Sequence, residues 1–116
     1  MKDWTNIRNR YLKDSLQIRL GGLAANLLRI KSFSIDQNNR VAVESLLDES
    51  KYFIEWTAID ANIMVAAELV ELQVLLARWQ YKLESIWTQE AQLKQLSEQS
   101  AFWSDRVLQF SGLLES

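Results

Sequence analysis

Glu68 and Glu71 stand three residues apart within a helical pattern, so their carboxylates leave one face a turn apart. That spacing can offer hard oxygen ligands to magnesium, which prefers octahedral oxygen coordination. Two carboxylates alone would hold the ion weakly. Other chemistry is scarcer still. With no histidine and no cysteine, the chain lacks the usual general base, the commonest neutral metal ligand and a thiol nucleophile. Gly21 and Gly22 lie inside an apolar helical pattern, not in a phosphate-cradling loop.

The Glu-x-x-Glu spacing resembles the first metal-binding pair of all-helical nucleotide pyrophosphohydrolases. That resemblance implies magnesium-dependent nucleotide hydrolysis through Glu68 and Glu71 as the alternative function. The resemblance also implies a second acidic pair downstream, but Glu84 is followed at the matching place by Trp87, which favours a structural role in which Glu68 and Glu71 flank a buried seam and meet Arg or Lys from the first helix. The Arg-x(4)-His signature of helical ribonucleases cannot be written without histidine. The expectation is therefore a non-catalytic protein with no cofactor and no metal.

The elements that would position any site are helical. Proline is absent and glycine occurs three times in 116 residues, while helix formers abound. The predicted fold is an all-α antiparallel bundle of three long helices plus a shorter C-terminal helix, as one domain over 1–116. A first helix is expected from about Thr5 to Phe33, with Asp3 or Thr5 as cap and Leu16, Leu20, Leu23, Leu27 and Ile30 as its seam. The adjacent glycines would cost on the order of 1 kcal/mol each relative to alanine, which close approach of another backbone would offset. The segment 34–39, with Asp36, Asn38 and Asn39, is the clearest break. A second helix should run from Arg40 to Trp56 and a third from near Asp60 to at least Trp87, extending toward Ser97. Gln99 and Ser100 offer the break before a fourth helix carrying Trp103, Val107, Phe110 and Leu114.

Charge is uneven along the chain. Residues 1–40 hold eight Lys or Arg against three Asp or Glu, or +5; residues 41–116 hold five against twelve, or −7. At about 100° per residue, Arg8, Arg10, Lys13, Arg19, Arg29 and Lys31 scatter around the helix, and a phosphate-tracking surface needs concentrated charge. No nucleic acid partner is expected. The longest uncharged runs, Leu20 to Leu28 and Ala61 to Ala67, fall far short of a membrane span of roughly 20 residues. The expected location is the cytoplasm, away from membranes.

The third helix is apolar on two opposite sides. Val65, Leu69, Leu72, Leu76, Trp79, Leu83 and Ile86 form one stripe; Ile63, Ala67, Val70, Val74, Ala77 and Tyr81 form the other. One core needs one stripe, so two stripes require two partners. Ala67, Val70, Val74 and Ala77 are the expected homodimer interface, because small residues let a second helix approach closely. A fourth helix of the same chain could cover them instead. Tyr52 and Trp56, a turn apart and off the seam of the second helix, are the expected site for a protein partner, since such side chains bury large area at low entropic cost. The function expected from these features is a self-associating interaction or regulatory module.

Overall fold

The computed structural model describes residues 2–112, and among them every regular element is helical. Six α-helices follow in order: α1 (Trp4–Leu12), α2 (Leu16–Phe33), α3 (Arg40–Ala58), α4 (Ile63–Tyr81), α5 (Leu83–Trp87) and α6 (Glu90–Ser111), with a single 3-10 turn at Gln37–Asn39 before α3. None of the described helices is long and apolar enough to cross a membrane. The predicted all-α bundle is thus the observed architecture. Its boundaries differ in three places, each with a local cause.

The expected first helix is divided at 13–15. Asp3 caps α1 by accepting from the Asn6 N–H, and Ser15 caps α2 by accepting from the Ile18 N–H. Tyr11 to Leu16 is a five-residue step that no single helical face accommodates, so the chain turns and restarts. Tyr11 then reaches back: its buried hydroxyl donates to the Arg19 carbonyl at 2.8 Å. α2 runs unbroken through both glycines, and a Cβ at Gly22 would meet the Tyr11 ring at 3.9 Å. Gly22 therefore faces an aromatic side chain with room to spare, rather than a tightly pressed backbone.

The third helix begins after Asn62 and not at Asp60, because the Asn62 side chain accepts from the Val65 N–H and caps it. It kinks at Lys82 (φ −100°, ψ 11°) and ends at Trp87. The predicted extension toward Ser97 is instead the first half of α6, and Ser100, expected at a break, lies in mid-helix, fully buried. Nothing in Thr88 or Gln89 announces a turn. What holds it is tertiary: the Trp87 indole donates to the Gln37 carbonyl at 2.8 Å, tying this corner to the link between α2 and α3. The C-terminal helix is consequently the longest, at 22 residues. Leu114 lies outside the described residues.

Paired residues fix the topology. Arg19 meets Trp56 and Asp60 while Asn26 meets Glu49, so α3 runs antiparallel to α2. Gln73 meets Lys51 and Gln80 meets Asp48, so α4 reverses again. α6 then returns along α2, where Ser104 donates to the Ala24 carbonyl at 2.8 Å. The core fills the space between these four long helices with Leu23, Leu27 and Ile30 of α2, Val43, Leu47 and Ile54 of α3, Leu69, Leu72 and Leu76 of α4, and Leu96 and Val107 of α6. Burying each such leucine or isoleucine contributes about 1.5–3 kcal/mol, and truncating one to alanine would cost about 2–5 kcal/mol.

Candidate interaction surface

α4, continued by α5, separates its two stripes. Leu69, Leu72 and Leu76 are wholly buried, and Trp79, Leu83 and Ile86 nearly so. On the other side, Ile63 is 85% exposed, Val70 50%, Val74 52% and Tyr81 90%, with Ala67 and Ala77 exposed between them. Among the described residues α6 does not supply the alternative cover, because it packs chiefly on α2 and turns Val107 into that core instead. The outer stripe recurs at steps of four, three, four, three and four residues, the rhythm of a coiled-coil seam. Over the 19 residues of α4 it runs about 27 Å.

A groove of about 440 Å³ adjoins this stripe between α3 and α4, lined by Asp48, Lys51, Tyr52, Glu55, Gln73, Val74 and Ala77. Two of the expected sites therefore meet. Tyr52, singled out as a partner residue, shares one groove with Val74 and Ala77, singled out for self-association. Gln73 crosses the junction and donates to the Lys51 carbonyl at 3.2 Å, so the groove floor is held by a side chain of one helix on the backbone of the other.

Trp56 has a different setting. It lies half-buried in an aromatic cluster beneath α1, with Trp4 4.2 Å from Tyr52 and 6.4 Å from Trp56 between ring centroids. Tyr11 stacks on Phe53 at 4.0 Å, nearly parallel, and lies 5.9 Å from Trp56. The layer that covers this patch is thus α1. Burial pushes the Tyr11 hydroxyl up to about 12, against the opposing pull of the Thr57 hydrogen bond and the Arg19 charge. Beside it the buried Arg19 donates to the Trp56 carbonyl and pairs with Asp60 at 3.0 Å, so the C-terminal end of α3 is gripped from the start of α2. Sequence reasoning missed Trp4 and Tyr11, although Trp4, Ile7 and Tyr11 at three- and four-residue steps were a usable signal.

Glu68 and Glu71 do not meet the first helix. Glu68 receives two hydrogen bonds from Arg106 of α6, at 2.8 and 2.9 Å, a bidentate pair that occupies both carboxylate oxygens. This bond, followed by the nearby negative charge, raises the Arg106 pKa above its ordinary value. Glu71 is exposed and makes no ion pair among the described residues. Also among the described residues, no three acidic, His or Cys side chains gather closely enough to hold a metal ion. The basic N-terminal third does find acidic neighbours elsewhere, through Lys2 with Glu49 and Arg19 with Asp60.

No protein-family model matches the chain, and comparison with curated proteins and with solved structures gives no significant match. The class of the molecule accordingly rests on its geometry: an up-down helical bundle with one long apolar helix face in solvent.

Proposed function

We propose that the protein is a non-catalytic interaction module that pairs with a second copy of itself through the outer face of α4. The supporting observation is the symmetry of that face. Read from Ile63 to Tyr81, the stripe runs large, small, medium, medium, small, large, with spacings that are the same in either direction. An antiparallel copy would set Ile63 against Tyr81 of the partner subunit, Ala67 against Ala77 of the partner subunit, and Val70 against Val74 of the partner subunit. A two-fold interface needs such self-complementarity, and the alanines allow close helix approach on either side of the centre. In a free monomer the same side chains would leave a continuous apolar strip in water, which soluble proteins rarely do without an interaction to use it.

Area argues that α4 is not the whole contact. A strip about 27 Å long and about 10 Å wide presents roughly 270 Å² in projection, well short of the ~800 Å² per partner of a stable interface. The neighbouring α3 edge, with Lys51, Tyr52 and Glu55, supplies further surface along the groove. Light scattering of the full chain with Val70→Glu and Val74→Glu tests the proposal. The expected result is a dimeric wild type and a folded, monomeric double variant. A wild type that stays monomeric at millimolar concentration, or a double variant that remains dimeric, would refute it.

A further inference from the structure

A second cleft, larger than the α3–α4 groove at about 570 Å³, opens between α4, α5 and the first half of α6. Its rim carries Arg78, Lys82, Ser85, Gln92, Gln95 and Gln99, and the largely buried indole of Trp79 forms part of the floor. No carboxylate lines it. Residues 41–116 hold twelve acids and only five bases, yet two of those five face this one cleft. Both are exposed, and neither makes an ion pair among the described residues, whereas Lys2, Arg19 and Arg106 do. A cation in the last turn of a helix gains from the helix dipole, which accounts for Arg78 taken singly. It does not account for two cations lining one cleft without a carboxylate, beside a hydroxyl and three amides, of which Gln92 donates to Gln89 at 2.8 Å and Ser85 accepts from Gln89 at 3.2 Å.

We propose that this cleft binds a small phosphate-bearing metabolite. A phosphate monoester carries about −1.5 to −2 charges and three strong acceptor oxygens at neutral pH, which two cations and neighbouring donors match. Gln95, Gln99 and the Ser85 hydroxyl proton, which Gln89 does not use, would then meet the hydroxyls of the organic body. The volume falls within the roughly 300–1,000 Å³ of small-molecule sites. Two cations in a cleft are too few and too confined to track a nucleic acid backbone, so the ligand is a small molecule.

The test is an NMR titration of the isotope-labelled full chain at constant ionic strength, with ribose 5-phosphate, ribose and inorganic phosphate as probes. Ribose 5-phosphate should move the Gln92, Gln95 and Gln99 side-chain amides and the Trp79 indole. Ribose alone should not, and inorganic phosphate should bind through the same residues more weakly. Lys82→Gln should weaken the binding at least about tenfold, and Lys82→Arg should restore most of it, keeping the charge at the rim. No shifts at millimolar ribose 5-phosphate, shifts unaffected by Lys82→Gln, or equal affinity for inorganic phosphate would each overturn the proposal.

Discussion

Replacing Tyr11 with phenylalanine removes one oxygen and leaves the ring stacked on Phe53. That oxygen has two partners: it donates to the Arg19 carbonyl at 2.8 Å and, its only proton being used there, accepts from the Thr57 hydroxyl at 3.0 Å. A net hydrogen bond contributes about 0.5–1.5 kcal/mol, and Thr57, itself fully buried, would be left without this partner, so the expected loss is about 2 kcal/mol. For a domain of this length that lowers Tm by roughly 8 °C. Tyr11→Phe with Thr57→Val should cost less than the sum of the two single changes, because no orphaned hydroxyl remains. A pH dependence follows from the same burial. The fold favours the neutral phenol, holding its pKa near 12 instead of 10.0, so the associated stability is fully present below about pH 10 and is lost as pH rises through about 12. That interval corresponds to about 3 kcal/mol. Lysines and the other tyrosines titrate in the same range, so the quantity to follow is the difference between wild type and Tyr11→Phe in urea unfolding by circular dichroism. From about 2 kcal/mol at neutral pH it should fall to about zero or below between about pH 10 and 12. A difference that stays constant across that range, or a variant costing under about 0.5 kcal/mol at neutral pH, would refute the reasoning.

Three further outcomes are expected. The chain has no native cysteine, so Val70→Cys combined with Val74→Cys should yield an inter-subunit disulfide on oxidation, seen as a dimer band that either single variant forms less efficiently. Gly22→Ala should stabilise the protein by about 0.5–1 kcal/mol in denaturant titration, since α2 is helical there and the new Cβ would sit at an ordinary 3.9 Å from Tyr11. Ser100→Ala should raise Tm, because its hydroxyl is fully buried with no hydrogen-bond partner and alanine is the better helix former; a fall of more than a few degrees would show that the hydroxyl is satisfied in solution.

Where side-chain periodicity alone decides structure, the sequence was readable. The inner and outer stripes of α4, the break around Asp36 to Asn39 and the start of α3 at Arg40 all follow from spacing and turn chemistry, and the structure places them there. The turns at 13–15 and 88–89 were not readable because neither contains glycine or proline. The first is set by a single serine cap and a five-residue apolar step, the second by the Trp87 to Gln37 bond, whose partners are 50 residues apart. The candidate surface was half legible. Tyr52 and the α4 stripe could be named from sequence, but their sharing of one groove depends on α3 packing beside α4. The Arg106 partner of Glu68 is hidden for a related reason: it sits 38 residues away on α6, a helix whose start no glycine or proline marks.

The pairing of α6 with α2 sets an order of events during synthesis. α2, α3 and α4 are neighbours in sequence and can associate as each leaves the ribosome, but the contact between Ser104 and Ala24 spans 80 residues. Until the segment around Ser104 has emerged, the face of α2 around Ala24 lacks the helix that covers it, and its leucines stay partly open to water. Contacts at such separation slow folding, and uncovered apolar surface on a nascent chain invites aggregation or chaperone capture. Chains cut short before α6 should therefore accumulate as insoluble or chaperone-bound material, even though three of the four long helices are already made.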